Sequence, residues 1–396
     1  MSNKSNKTVL HIAPTPFFAD RGCHIRIRNE IEALAAKQIR VLLCTYHHGR
    51  DINGIETRRI LTVPGYSKLD AGFSPFKFIA DALLFFLVLK TAWQERPVVL
   101  HGHLHEGALI GWAVKICLFW RRLPVIMDMQ GSLTGELVSY GTLNSRQLLT
   151  RVALAVERLI YRLPAFVFCS SEQSRNTLIS KFKIAKDKTA LLQDVVPDFF
   201  FTIPDSADWK QLHNIPADKK IILYTGSLLP GKGVHFVLES VKNLCLLRDD
   251  LFFILAGYPV EDAQEFITEH HLTESILLTG QVAYSELHHW LAVGDVALEP
   301  KEDESGEASG KLLHYMATGL PVVCFDTMNN RKFLANDGYY ALPGDEDSFA
   351  GAIESAVNDM PEARKRGGRK QAVIRKTYSS AAIGTLLQKQ YDRLTG

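Results

Sequence analysis

Paired cysteines are missing from this 396-residue chain: its six, Cys23, Cys44, Cys117, Cys169, Cys245 and Cys324, stand far apart and mostly inside apolar runs. Without a CxxC pair no cysteine-built metal site is expected, and free thiols fit a reducing cytoplasm. A charge excess is missing too. The 45 Lys plus Arg against 43 Asp plus Glu leave a net +2, which gives no support to a nucleic-acid partner. No apolar run reaches the roughly 18 uninterrupted residues of a spanning helix. The longest, Phe73 to Trp93, is broken by Lys77, Asp81 and Lys90. The opening Met-Ser-Asn-Lys-Ser-Asn-Lys lacks the apolar core of an export signal, so a cytoplasmic location is expected. Repeats and low-complexity segments are not evident, and 46% apolar with 22% charged residues predicts a chain folded almost throughout.

What is present is alternation. Short β-branched or apolar runs recur between helical patterns: Thr8–Ala13, Val41–Tyr46, Thr57–Val63, Val98–His103, Val125–Gln130, Phe166–Ser170 and Ala190–Val196. Runs of this kind read as buried parallel strands. Cys23, Ile27, Ile31 and Leu34 follow at helical spacing after Asp20, which can cap the first turn. A second series begins at Ile221 and continues with Phe252–Ala256, Ile276–Thr279, Asp295–Leu298, Pro321–Phe325 and Tyr339–Leu342. Two such series predict an α/β chain with two doubly wound parallel sheets. Pro197, Pro204 and Pro216 interrupt the pattern and set the boundary, with a cleft expected there. The expected division is 1–200, 201–378 and a C-terminal amphipathic helix, 379–396, returning toward the first domain.

Open α/β sheets bind ligands beyond the carboxyl ends of their strands, so the post-strand loops carry the functional information. After Ile221–Thr225 comes Gly226-Ser-Leu-Leu-Pro-Gly-Lys-Gly233 and a helix, which joins flexible backbone, Lys232 and a helix N-terminus. After Phe252–Ala256 comes Gly257-Tyr-Pro, where a missing side chain lets a flat base approach. After Asp295–Leu298 runs Glu299-Pro-Lys-Glu-Asp-Glu-Ser-Gly-Glu-Ala-Ser-Gly310, then a helix from Lys311 to Ala317 that Gly319 stops. Ser309 is the expected N-cap. A lysine at a helix start is by itself more often a solvated surface residue. Lys232 and Lys311 on two such loops, beside helix N-termini, instead suit a diphosphate.

These residues resemble the glycosyltransferases of GT-B fold, specifically the large retaining family numbered four. The resemblance rests on an ordered set: Tyr224-Thr-Gly-Ser227, Gly231-Lys-Gly-Val234, Leu255-Ala-Gly257, Leu278-Thr-Gly280, Ala292-Val-Gly-Asp-Val-Ala297 and Leu312-Leu-His-Tyr-Met-Ala-Thr-Gly-Leu-Pro-Val-Val323. It implies two Rossmann-like domains, a nucleoside-diphosphate sugar as donor, retention at the anomeric carbon, no cofactor or essential metal, and domain closure. Carried over by position, Lys232 and Lys311 contact the diphosphate, Ser309, Gly310 and Leu312 lend backbone amides, Gly226 and Gly257 border the nucleotide, and Gly22 stands in the N-terminal phosphate-facing loop.

The chain departs from the family pattern at several points. The family's helix glutamate for the ribose is His314 here, which can still hydrogen-bond a hydroxyl. Its partner glutamate is out of register, with Glu304 and Glu307 flanking Gly306. The arginine after the first glycine is Ser227, and Lys301 is the candidate replacement for its charge. In the first half, Gln130 occupies the place of a sugar-contacting histidine, while Asp128 reads equally as an acceptor-side carboxylate or a cap. His101-Gly-His103-Leu-His105 looks like a metal cluster, yet no carboxylate at metal spacing completes it, so His103 is read as structural or substrate-facing. Arg26 and Arg28 read as solvated helix residues. Gln130, Asp128 and His103 are the catalytic-side candidates.

The expected activity is sugar transfer to the hydroxyl of a glycan or lipid-linked acceptor, in polysaccharide or glycolipid assembly. A catalytically silent partner subunit and a nucleotide-sugar epimerase are the alternatives. The Phe73–Trp93 and Trp112–Trp120 stretches, with Arg121-Arg122, read either as core helices or as a peripheral contact with the cytoplasmic face of a membrane.

Overall fold

A computed structural model describes residues 7–19, 22–67, 74–132, 134, 147–302 and 310–396. The chain divides into two compact units, Met1–Val195 with Ser380–Gly396, and Val196–Ser379, so the division falls slightly before the expected 200/201 boundary.

The first unit is built on strands β1 (Thr8–Ala13), β2 (Arg40–Thr45), β3 (Glu56–Arg59), β4 (Val99–His103), β5 (Val125–Met129), β6 (Phe166–Cys169) and β7 (Thr189–Leu191). They form one parallel sheet in the order β3-β2-β1-β4-β5-β6-β7. Leu10 sits beside Leu42 on one side and Leu100 on the other. Successive side chains of β1 point to opposite faces. Val9 joins Ile27, Ile31 and Leu34 of the helix Gly22–Ala35, whereas Leu10 and Ile12 join Leu84, Val88, Ile110 and Val114. The helix Ser380–Thr395 belongs to this unit and buries Ile383, Leu387 and Tyr391 in the first of those layers.

The second unit carries β8 (Lys220–Thr225), β9 (Leu251–Ala256), β10 (Ile276–Leu278), β11 (Val296–Glu299), β12 (Val322–Phe325) and β13 (Tyr339–Ala341), parallel in the order β10-β9-β8-β11-β12-β13. Ile222, Tyr224, Phe253 and Leu255 pack with Val237 and Val241 of the helix Val234–Cys245 and with Phe349 and Ile353 of the helix Glu346–Asn358. In each sheet the strand order reverses beside the first strand, between β1 and β4 and between β8 and β11. Loops on either side of such a reversal splay apart and leave a crevice at the carboxyl ends. The loops after β8 and β11 are those that carry Lys232 and Lys311.

Candidate functional site

In the second unit three post-strand loops meet backbone to backbone. A Cβ at Gly257 would lie 1.7 Å from the Gly226 carbonyl oxygen, and one at Gly233 would lie 2.0 Å from the Pro300 carbonyl oxygen. Gly226 and Gly233 also hold φ of +127° and +76°, which only glycine adopts without strain. The Gly226 N–H donates to the Ala256 carbonyl at 2.9 Å, and the Tyr224 hydroxyl donates to the Ser227 carbonyl at 2.8 Å. Ser227 is thus held by its backbone. Lys232 closes a short 3-10 turn, Pro230–Lys232, immediately before the helix Val234–Cys245 and is half-buried.

Lys311 lies in the first turn of the helix Gly310–Ala317. Its ammonium stands 3.2 Å from Glu299 Oε1 and 4.3 Å from the centre of the Tyr224 ring. Glu299, the last residue of β11, is only 1% exposed, and Lys311 is 18% exposed. A buried carboxylate and an aromatic face therefore fix the cation at the strand ends before any ligand arrives. Glu299 was not among the residues singled out from the sequence; the available signal was a carboxylate ending a strand at the topological switch. The Thr225 N–H donates to the Tyr315 hydroxyl at 2.9 Å, which ties the same helix to β8.

His314 stacks on Phe200, ring centres 4.3 Å apart, and its Nε2 lies 3.1 Å from the Tyr284 hydroxyl. Burial lowers its pKa to about 4, so the ring is neutral at pH 7. Leu312 is core, Gly310 opens the helix, and Lys301 is half-buried with its backbone N–H 3.3 Å from Glu299 Oε1. Glu304, Glu307 and Ser309 lie outside the described residues, as do Asp20 and Arg21.

In the first unit, Gly22 is an exposed helix start. Arg26 departs from the solvated reading: it is buried and grips Asp128 bidentately, Nε to Oδ2 at 2.9 Å and Nη2 to Oδ1 at 2.7 Å. It also donates to Asp194 and to the Leu192 carbonyl. Gln130 Nε2 donates to Asp128 Oδ2 at 2.8 Å, and the His103 Nδ1–H does so at 3.2 Å. Burial opposes ionisation of Asp128, but the Arg26 charge and the bonds from His103 and Arg26 outweigh it and hold the carboxyl well below its ordinary range. So saturated a carboxylate is a poor proton acceptor near neutrality. What it does is aim Gln130 and His103, which favours an anchoring role over the acceptor-side role weighed from the sequence.

The histidines extend the network. His11 Nδ1 lies 2.9 Å from His103 Nε2, and the Tyr391 hydroxyl lies 2.6 Å from His101 Nδ1. Burial, then the neighbouring rings, lowers the pKa of His11 and His101, so they stay neutral. The carboxylate that the linear pattern lacked is supplied by Glu30, whose ligand atom comes within 4.8 Å of those of His101 and His103. Arg26 Nε stands 3.1 Å from Glu30 Oε1, and both nitrogens of His103 are engaged. Among the described residues Glu30 is thus held by the Arg26 charge alone, and neither of its oxygens nor His101 Nε2 makes a hydrogen bond. His105 belongs to another cluster, with Tyr161 and Glu157.

Comparison with known proteins covers both units. A family model described as glycosyl transferases group 1 matches residues 219–359, and one described as a glycosyl transferase 4-like domain matches residues 21–193. The alpha-D-kanosaminyltransferase of Streptomyces kanamyceticus is 23% identical over 86% of this chain and 89% of its own. The phosphatidylinositol N-acetylglucosaminyltransferase GPI3 subunit of Saccharomyces cerevisiae is 26% identical over 59% of this chain, which spans 47% of that relative. Among solved structures, sucrose-phosphate synthase from Thermosynechococcus elongatus superposes with a TM-score of 0.77 at 18% identity, covering 98% of this chain and 99% of that one. Anabaena HepE, in complex with UDP and glucose, superposes with a TM-score of 0.76 at 16% identity, covering 98% and 100%.

Proposed function

We propose a donor and a chemistry for this chain from the premise that it is a group 1 glycosyltransferase of GT-B fold, family-four type, transferring sugar in glycan assembly. The donor is a nucleoside-diphosphate sugar and the acceptor a hydroxyl of a glycan or a lipid-linked glycan. Transfer proceeds with retention. The bond from the anomeric carbon to the diphosphate breaks, a bond to the acceptor oxygen forms on the same face, and the departing diphosphate takes the acceptor proton.

The observation that carries this reading is Lys311, held by Glu299 and the Tyr224 ring at the N-terminus of the helix Gly310–Ala317. Its charge, with Lys232 and the positive end of the helix dipole, supplies the countercharge for the leaving diphosphate, so the reading needs no metal or cofactor there. Transition-state charge is where such preorganised groups act most strongly. Within the second unit the base lies along Gly226 and Gly257. We place the protein in the cytoplasm, meeting its lipid-linked acceptor as a peripheral protein on the inner membrane face. No helix among the described residues is long and apolar enough to cross a membrane.

A thermal-shift panel of nucleoside diphosphates and their sugars tests the donor. A ligand at 100 times its Kd adds about 2.7 kcal/mol of stability. A panel without any stabilising nucleotide, together with no slow hydrolysis of any nucleotide sugar, would refute it.

A further inference from the structure

The first unit carries more apolar surface than its core requires. Along the helix Phe76–Glu95, Ala80, Leu84, Val88 and Ala92 are buried, while Ile79, Phe86 (64% exposed) and Trp93 (56%) recur at seven-residue steps on the outer side. Residues seven apart share one helical face. The helix Leu104–Cys117 packs between this helix and the helix Gln147–Ile160, and it exposes Leu109 and Ile116, again seven apart. Val152, Val156 and Leu159 continue the pattern on the third helix. Phe119 (74% exposed) and Trp120 follow the middle helix, with the Trp120 ring edge-on to Trp93 at 5.9 Å.

The charges on this face have one sign. Lys90, Arg122, Arg151 and Arg158 are exposed. Among the described residues of these elements no acidic side chain is exposed: Glu157 is buried, and Asp81, Glu95 and Glu106 are engaged by Tyr46, by Arg40 and Arg58, and by Lys77. An open groove of about 400 Å³ lies within the face, lined by Trp112, Lys115, Ile116, Phe119 and Arg122. Two cations therefore flank an aromatic and aliphatic floor.

We propose that this face docks on an anionic bilayer, and that the groove takes the phosphate-bearing headgroup of a lipid between Lys115 and Arg122, its apolar part against Trp112, Ile116 and Phe119. The inference rests on the peripheral-membrane part of the reading above and supplies its surface and its ligand. An interfacial helix group rich in Trp, Phe and Leu with cationic flanks partitions to the headgroup boundary, where apolar burial and attraction to anionic lipid act together. A second copy of the chain is a poorer occupant, because a two-fold contact would oppose the same exposed cations to one another.

The test is flotation with phosphatidylcholine vesicles, with and without phosphatidylglycerol, beside the donor thermal shift of the same preparations. Wild-type protein is expected to float with anionic vesicles at low salt and to be released by high salt. Lys115→Gln and Arg122→Gln should each weaken binding roughly fivefold, and Phe86→Ser and Phe119→Ser should weaken it at any lipid charge, with the donor shift unchanged in all four. Absence of flotation at low salt overturns the proposal. Flotation indifferent to Lys115, Arg122 and Phe119 overturns the groove. A lipid-free dimer seen by light scattering and abolished by Phe86→Ser overturns it in favour of self-association. Loss of the donor shift with flotation intact defeats the donor reading alone.

Discussion

Replacing Lys311 by alanine should separate donor binding from stability. The ammonium stands 3.2 Å from a carboxylate that is 1% exposed, so its removal acts twice. A charge-assisted contact to phosphate is worth about 1.5–3 kcal/mol, which lowers kcat/KM for the donor roughly 10- to 150-fold. The same change leaves Glu299 buried beside an empty space. Breaking a fully buried pair costs about 3–5 kcal/mol, and the partial exposure of Lys311 brings the expected loss down to about 1–3 kcal/mol. Lys311→Ala with Glu299→Gln removes the orphaned charge. The double variant should recover most of the stability in urea unfolding while remaining as poor as Lys311→Ala in donor turnover, assayed with whichever nucleotide sugar stabilises the wild type. If Lys311→Ala keeps kcat/KM within about threefold, or if Glu299→Gln restores turnover, the cation does not serve the diphosphate.

Asp128→Asn breaks the buried pair with Arg26 and should cost about 3–5 kcal/mol in urea unfolding of the first unit; a loss below 1 kcal/mol would mean the pair is not as closed as its distances state. Glu157 gives a pH prediction: burial alone would raise its pKa, but bonds from His105, Thr134, Tyr161 and Ser132 hold it at about 2. A depressed carboxylate contributes stability that is present above its unfolded value near 4.3 and lost as pH falls toward 2, about 3 kcal/mol in all. Thermal unfolding of Glu157→Gln should therefore fall less steeply between pH 5 and pH 2 than wild type, and an identical slope would count against the bonding. Gly257→Ala drives a methyl into the Gly226 carbonyl, and nucleotide-induced thermal shifts should vanish; an unchanged shift would show that the two loops do not meet.

Much of the architecture could be read directly from sequence because it depends on neighbours along the chain. The strand expected at Thr8–Ala13 has those bounds in the fold, and the runs at Phe252–Ala256 and Pro321–Phe325 differ from it by one residue at one end. Lys232 and Lys311 were found the same way, as lysines beside helix starts just after strands. The constraint on Lys311 was not, since the Tyr224 ring reaches it only when β8 is laid beside β11, and Glu299 only when the helix Gly310–Ala317 returns to the end of β11. Arg26 read as a solvated helix residue because a helical pattern does not reveal that Asp128, Asp194 and the Leu192 carbonyl converge on one face. The Glu30 carboxylate near His101 and His103 likewise arrives from a separate helix.

The apolar helices mark the limit most clearly. Periodicity and composition establish that Phe76–Glu95 is a helix and that nearly every side can accept apolar contacts. Which side is covered is decided by packing: the sheet and the helix Leu104–Cys117 cover Ala80, Leu84 and Val88, and Phe86 and Trp93 are left outward. Hydrogen-bonded period and turn chemistry are local and can be read from adjacent residues, whereas burial and charge pairing are properties of surfaces that meet only after the chain has folded.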